Sequence, residues 1–433
     1  MSLFVISATI LGLLVLFLGS GIWVGISLFM VGIVSFMLFT GIPPLAVLSN
    51  ILWNNVNGSA MMALPLFIFM GEILFKSKIS ENLFNALSPW MNSVPGRLIH
   101  VNIIASALFA AVSGSSAATT ATVGKITLPE LKKRKYDESL YIGSLAGAGT
   151  LGFLIPPSLV MLVYGIVAEV SIGKLFIAGI VPGIMIAFSL CLFAGVRSII
   201  NPDLAPHGGL SFNWQDRIRA IPNLLPVIIL IIMVLGSIYM GWATPTEAAA
   251  VGVIGAIFFA LLSRSLDRRT FWDAAMGAIK TSSMIMLIVC GASFLSVAIG
   301  YLGIPGKLTA FIGTLGLSKY QLMAILAVMY VILGCLLDGF SMIVMSLPLA
   351  LPLIVAAGFD PLWFGIFLII MIEVAQITPP VGFNLFVING ITNINIFRIA
   401  LYSLPSFIIL FIIVAIITIY PELVLALPNM MIK

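Results

Sequence analysis

Ala110-Ala111-Val112-Ser113-Gly114-Ser115-Ser116-Ala117-Ala118-Thr119-Thr120 interrupts an otherwise apolar run over 98–131 with small and hydroxyl-bearing residues. A second interruption, Leu333-Gly334-Cys335-Leu336-Leu337-Asp338-Gly339-Phe340-Ser341, sits inside the run 319–357. The flanking apolar arms of about 15 residues rise roughly 22 Å as helix, short of the roughly 30 Å hydrocarbon core of a bilayer. Each stretch therefore reads as a re-entrant helical hairpin whose polar tip lies inside the membrane.

Composition demands that membrane. Of 433 residues, 61% are apolar and only 8% charged, 20 basic and 15 acidic, where a soluble domain carries about a quarter charged. Long apolar runs recur along the whole chain, so the class is an all-α polytopic membrane protein; a β-barrel shows short alternating segments instead. No Lys or Arg precedes the first apolar run, so the basic region of a signal peptide is missing and 3–18 is read as a retained first span. The net charge of +5 carries no nucleic-acid reading, because the basic residues sit in short loops between spans. Cys191, Cys290 and Cys335 fall inside apolar spans and suggest neither a disulfide framework nor a metal site.

The chain repeats itself. Val31-Gly32 recurs as Val251-Gly252 and Gly71 as Gly291, each 220 residues later, and Pro156-Pro157 recurs as Pro379-Pro380 after 223. A duplicated architecture follows: 1–200 as the first repeat, 201–220 as a polar cytoplasmic linker, 221–433 as the second. Each half opens with two spans (3–18 and 22–40; 222–241 and 246–263). A short segment at the interface follows (44–58; 268–280), suited to it by Trp53 and Trp272, then a third span (60–77; 282–301). The hairpin comes next, then a long span broken by Pro-Pro (139–168; 361–390), then a closing span (174–199; 396–420). A proline removes a donor and clashes with the preceding turn, and disfavours helix at the residue before it. Ile155-Pro156-Pro157 and Thr378-Pro379-Pro380 are thus expected to unwind each span near its middle.

With each hairpin counted as no crossing, sixteen Lys and Arg, from Lys76 to Arg398, fall on one side; Lys174, Lys307, Lys319 and Lys433 fall on the other. The basic side is cytoplasmic, both termini lie outside, and five crossings per half make the repeats inverted. Inverted repeats with broken helices meeting at mid-membrane are an architecture of secondary transporters. Half-helix amino ends suit a carboxylate, and unwound backbone suits Na⁺. The candidates for Na⁺ or substrate binding are Ser113, Gly114, Ser115, Ser116, Gly149, Thr150, Pro156, Asp338, Gly339, Ser341, Glu373, Thr378, Pro379 and Gly382. Asp338 and Glu373 stand out because a carboxylate inside a membrane is costly. Glu72, one turn before Lys76, reads instead as an interfacial ion pair.

Enzyme readings fail on residues. Gly124-Lys125 is followed by Ile126, with Thr119 where a phosphate loop needs glycine. A serine protease needs a base beside its serine, yet His100 and His207 map near the cytoplasmic face. No metal-ligand spacing exists.

At Ser113-Gly114-Ser115-Ser116-Ala117-Ala118-Thr119, Gly149-Thr150-Leu151-Gly152-Phe153-Leu154-Ile155-Pro156-Pro157-Ser158, Asp338-Gly339 and Ile377-Thr378-Pro379-Pro380-Val381-Gly382, the sequence resembles the large membrane (M) subunit of tripartite ATP-independent periplasmic (TRAP) transporters. That resemblance implies a Na⁺-coupled importer of organic acids, of sialic acid or C4-dicarboxylate type, in a bacterial or archaeal inner membrane. It implies a periplasmic substrate-binding protein that delivers the cargo, and a small four-helix membrane subunit, expected here as a separate chain. It also implies an elevator mechanism, with a transport domain of about 98–168 plus 319–390 sliding against a scaffold, Na⁺ as the coupling ion and no organic cofactor. The alternative in the same fold neighbourhood is a stand-alone Na⁺/dicarboxylate symporter that needs no binding protein.

Overall fold

The computed structural model describes residues 3–206, 213–335 and 337–431. Leu336 of the second tip, His207, Lys433 and part of the 201–220 linker lie outside them. The described chain is helical, with no strand among the described residues. Six helices are singly long and apolar enough to span a bilayer, from Ile172–Ile200 to Ile396–Ile419. Two bent pairs would each add another, Pro44–Val56 with Ala60–Lys76 at 55° and Glu138–Leu154 with Leu159–Val167 at 41°.

Both interrupted stretches break where the small and polar residues stand. The first forms arms Leu98–Ser113 and Ser116–Lys133, turning at Gly114 with φ 60°, a left-handed conformation that glycine adopts without penalty. Ser115 caps the second arm by accepting the Ala118 amide at 3.4 Å. The second stretch forms arms Lys319–Gly334 and Gly339–Ala356, the latter capped by Asp338. Both Pro-Pro pairs interrupt helix as expected. Pro156-Pro157 separates Leu151–Leu154 from Leu159–Val167, and Pro379-Pro380 separates Pro361–Gln376 from Phe383–Thr392. Both Pro-Pro peptide bonds are cis.

Two features depart from the sequence reading. The interface segment 268–280 and the span 282–301 are one unbroken 34-residue helix, Arg268–Tyr301, whereas their counterparts are separate helices, Pro44–Val56 and Ser59–Lys76. The first join is Asn57-Gly58; the second offers only Gly277, which stays helical, and a lone glycine costs a helix about 1 kcal/mol. Gly277 serves packing instead, since a Cβ there would come within 2.6 Å of the Glu72 carboxylate. The second departure is a pair of short helices the sequence reading omitted, Ile79–Met91 and Ile304–Thr314, each between the third span and the hairpin. Ile79, Leu83, Phe84 and Leu87 bury one face of the former, a 3.6-residue pattern that was readable.

The broken spans form the centre of the molecule. Every residue from Trp363 to Gln376 is buried, as is every residue from Leu140 to Gly149; helices apolar all round belong inside. Phe367 packs against both Trp363 and Phe364 there. Helix Glu138–Gly149 lies against Ile396–Ile419 at a separation only glycine permits: a Cβ on Gly143 would sit 2.2 Å from the Tyr402 carbonyl oxygen, and one on Gly147 2.2 Å from Ser406 Oγ. Ser406 Oγ donates to the Gly143 carbonyl at 3.1 Å across this contact, the small-residue packing that membranes favour.

Because the obstacle at Gly143 is backbone, Gly143→Ala is expected to destabilise the fold by about 1–3 kcal/mol. Gly12→Ala, with nothing within 4 Å of the added carbon, is expected to be neutral. Thermal unfolding in detergent, followed by loss of the monodisperse fraction, checks the contrast.

Candidate functional site

The first tip is docked on the first helix break. The Gly114 carbonyl accepts the Leu159 amide at 3.3 Å, one of the free N–H groups at a half-helix start. Ser158 caps the same half-helix through the Met161 amide at 3.3 Å. Gly152 lies against the tip so closely that a Cβ would fall 2.5 Å from Ser116 N and Ser115 O. Ser113 Oγ and Thr119 Oγ1 bond at 2.8 Å across the turn. Thr150 Oγ1 donates to Gly147 O at 2.5 Å, and Pro156 is buried at the break.

The second tip repeats the arrangement with different chemistry. Asp338 accepts the Phe340 amide at 3.1 Å and the Ser341 amide at 3.5 Å, and the Ser341 hydroxyl donates to it as well. The carboxylate thus caps its own arm at the favourable end of the helix dipole. Cys335 Sγ donates to the Pro379 carbonyl at 3.3 Å, tying the tip to the second break. Thr378 Oγ1 donates to Val374 O at 2.7 Å, and Gly382, φ 38°, opens the second half-helix.

The two assemblies meet. Phe153 of the first break packs edge-on to Phe340 of the second tip, centroids 6.0 Å apart, and a Cβ on Gly339 would lie 3.2 Å from the Phe153 ring. Glu373, 1% exposed, accepts the Phe153 amide at 2.7 Å and Ser116 Oγ–H at 3.0 Å. Ser116 Oγ lies equally 3.0 Å from the Gly149 carbonyl, so its one proton has two acceptors. Asn384 Nδ2 donates to the same oxygen at 2.9 Å. Every sequence-named site residue therefore belongs to one of the two tips, the two breaks or the Glu373 bridge between them.

Sequence reasoning missed Asn384, Thr120 and Phe153. Asn384 and Thr120 are fully buried, and Asn384 Oδ1 and Thr120 Oγ1 have no hydrogen-bond partner. Both side chains flank Gly149: a Cβ there would meet Thr120 Oγ1 at 1.9 Å and Asn384 Nδ2 at 3.5 Å. A polar Asn one position into a membrane half-helix was the available signal; Phe153 contributes its backbone, which no residue type announces. A second polar group, Asn102 with Thr127 (2.9 Å) and Ser144 (3.0 Å), joins the first hairpin to the first broken span nearer the start of that span. No cluster of metal-ligating side chains exists among the described residues. A cavity of about 880 Å³, whose lining includes Asn55, Glu169, Lys174 and Glu247, shares no residue with the tips.

The chain is similar to known proteins. The large permease of a C4-dicarboxylate TRAP transporter from Pseudomonas aeruginosa is 32% identical over 85% of this chain and 86% of its own length. The sialic acid TRAP transporter large permease of Vibrio cholerae is 27% identical over 95% and 96%. A solved transporter, YdaH of Alcanivorax borkumensis, shares the fold with a TM-score of 0.66 at 14% identity, over 88% of this chain and 90% of its own. Residues 11–423 match the DctM component of the tripartite ATP-independent periplasmic transporters, so this polytopic chain belongs to that family of transporter permeases, not to a family of enzymes.

Proposed function

We propose that this chain is the permease of a Na⁺-coupled importer of organic acids, set in a bacterial or archaeal cytoplasmic membrane. The observation that carries the reading is the convergence of two hairpin tips and two helix breaks on one buried cluster. Half-helices Leu159–Val167 and Phe383–Thr392 begin at that cluster, and their amino ends suit a carboxylate. The cargo is an organic acid by analogy with the relatives, whose names give a C4-dicarboxylate and sialic acid.

Na⁺ fits the donor set. A hard cation takes oxygen ligands, and the first tip offers hydroxyls, the Gly149 carbonyl and a buried oxygen without a partner on Thr120. At the second tip, Asp338, Ser341, Thr378 and the carbonyls around Pro379 and Gly382 form the equivalent set. Partly exposed Ser115, Asp338 and Thr378 face the cargo in this reading. The family description is of a three-part transporter, which supports a separate binding protein and a small membrane subunit as partners.

Two observations support inverted repeats and a sliding transport domain. Helix order recurs between the halves, hairpin then broken span, at Leu98–Val167 and Lys319–Thr392. The strongly exposed tryptophans, Trp23, Trp53, Trp214, Trp242 and Trp272, all lie outside 98–168 and 319–390. Interfacial tryptophans fix depth in a bilayer, so the scaffold is held at both surfaces while the transport domain carries no such anchor. Both termini face outward on this reading. Single cysteines replacing Glu422 and Lys132 in a background freed of native cysteines are expected to react with an impermeant maleimide from the outer and cytoplasmic sides respectively; the reverse pattern inverts the topology.

Radiolabelled sialic acid, then a C4-dicarboxylate, is expected to enter proteoliposomes only with an inward Na⁺ gradient, the small subunit and the binding protein together. Uptake without the binding protein points to the stand-alone symporter. In the same assay Asp338→Ala and Ser115→Ala each reduce uptake at least about tenfold with expression intact. Gly152→Ala, which drives a carbon into the tip backbone, does the same, whereas Gly306→Ala, with nothing within 4 Å, leaves uptake unchanged.

A further inference from the structure

The first hairpin tip is held from the other half of the chain. Ser116, the first helical residue after the tip turn, receives Asn384 Nδ2 at 2.9 Å and donates toward Glu373 at 3.0 Å; these partners lie 268 and 257 residues away. Glu373 also takes the Phe153 amide at 2.7 Å, 220 residues away. Both oxygens of its carboxylate are thereby turned to protein groups, one to the first tip and one to the first break. No ion pair among the described residues includes it. Asn384 is tied to the tip through its nitrogen alone, its Oδ1 having no hydrogen-bond partner, and its bond goes to buried Ser116 rather than to the partly exposed Ser115.

We propose that Glu373 and Asn384 are positioning residues for the first cation pocket. They fix the tip and the first break relative to each other from the opposite repeat, acting through Ser116 and the Phe153 amide rather than as the primary contacts of ion or cargo. The inference rests on the Na⁺-coupled reading above. Its physical basis is that ligand geometry at an ion site is set by the groups behind the ligands, whose removal typically costs 10–100-fold in affinity. An added carboxamide at position 373 still offers an oxygen to the Phe153 amide and an N–H to Ser116 Oγ, leaving the serine proton for Gly149. A methyl at 373 offers neither. Charge and positioning are therefore separable at this site.

The experiment measures the Na⁺ concentration for half-maximal uptake in the complete transporter, and in parallel the Na⁺-dependent rise in thermal stability of the purified complex. Glu373→Ala and Asn384→Ala are each expected to raise the half-saturating Na⁺ concentration about tenfold or more and to displace the thermal titration equally, with the maximal rate much less affected. Glu373→Gln is expected to recover most of the affinity. The double variant is expected to fall short of the product of the single effects, because both act through Ser116. Glu373→Gln as damaging to Na⁺ affinity as Glu373→Ala overturns the proposal in favour of a direct ion ligand. Unchanged Na⁺ dependence in Asn384→Ala and Glu373→Ala overturns it in favour of packing alone. Where Glu373→Ala fails to reach the membrane, Asn384→Ala and Glu373→Gln decide between the same outcomes. A wild-type complex without Na⁺ dependence in either measurement refutes the Na⁺-coupled reading itself, a result distinct from both.

Discussion

Backbone amides and carbonyls freed at mid-membrane must be satisfied by protein or by a water-lined cavity, and this fold has four places where helix stops inside an apolar run. The remaining architecture follows from how those ends are satisfied. Gly114 O takes an amide of the first half-helix, Pro379 O takes the Cys335 thiol, and the Phe153 amide takes Glu373. Each bond joins a tip or a break to a different element, so the interruptions brace one another. A carboxylate is an expensive acceptor in such a place. Its use at Glu373 adds a buried carboxylate to the polar links between the two halves, which include Asn384 with Ser116 and Ser406 with Gly143.

Space is managed with equal economy. Along one span, Gly143 and Gly147 admit Ile396–Ile419 on one side, while Gly149 and Gly152 admit the first hairpin. The four glycines are a packing face for two neighbours, and the helix between them survives the poor propensity of glycine because it is buried throughout. The same logic recurs at Gly334, where a Cβ would come within 2.0 Å of Ala375. Close backbone approach puts carbonyl oxygens and hydroxyls within reach of one another across the tips, something larger residues would prevent.

Much of this was legible in the sequence because backbone rules are local. Pro-Pro pairs break helix wherever they occur, and Ser113-Gly114-Ser115-Ser116 is too polar to lie unturned in a bilayer. The hairpin and half-helix boundaries followed from those few residues. The carboxylate at 373 drew attention for its cost, but its partners were hidden, since nothing at Ser116 or Phe153 signals a neighbour more than two hundred residues away. Asn384 escaped notice although a polar residue one position into a half-helix was itself a signal. The continuous Arg268–Tyr301 helix was misjudged because the segmentation of the first half was carried over to the second, where no pair like Asn57-Gly58 interrupts the helix. Asp338 shows the limit of reasoning from residue type: cost alone named it, and only geometry reveals that it caps its own helix.

The distance along the chain between Phe153 and Glu373 has a consequence for biogenesis. Chains emerge from the ribosome at about 5–20 residues per second, so the 220 residues separating these partners take on the order of 10–40 s to make. For that interval the first hairpin tip and first break are already synthesised, with the Phe153 amide and the Ser116 hydroxyl lacking their carboxylate. A nascent first half must therefore remain partly hydrated, or be sheltered by the insertion machinery, until its second half arrives to close it.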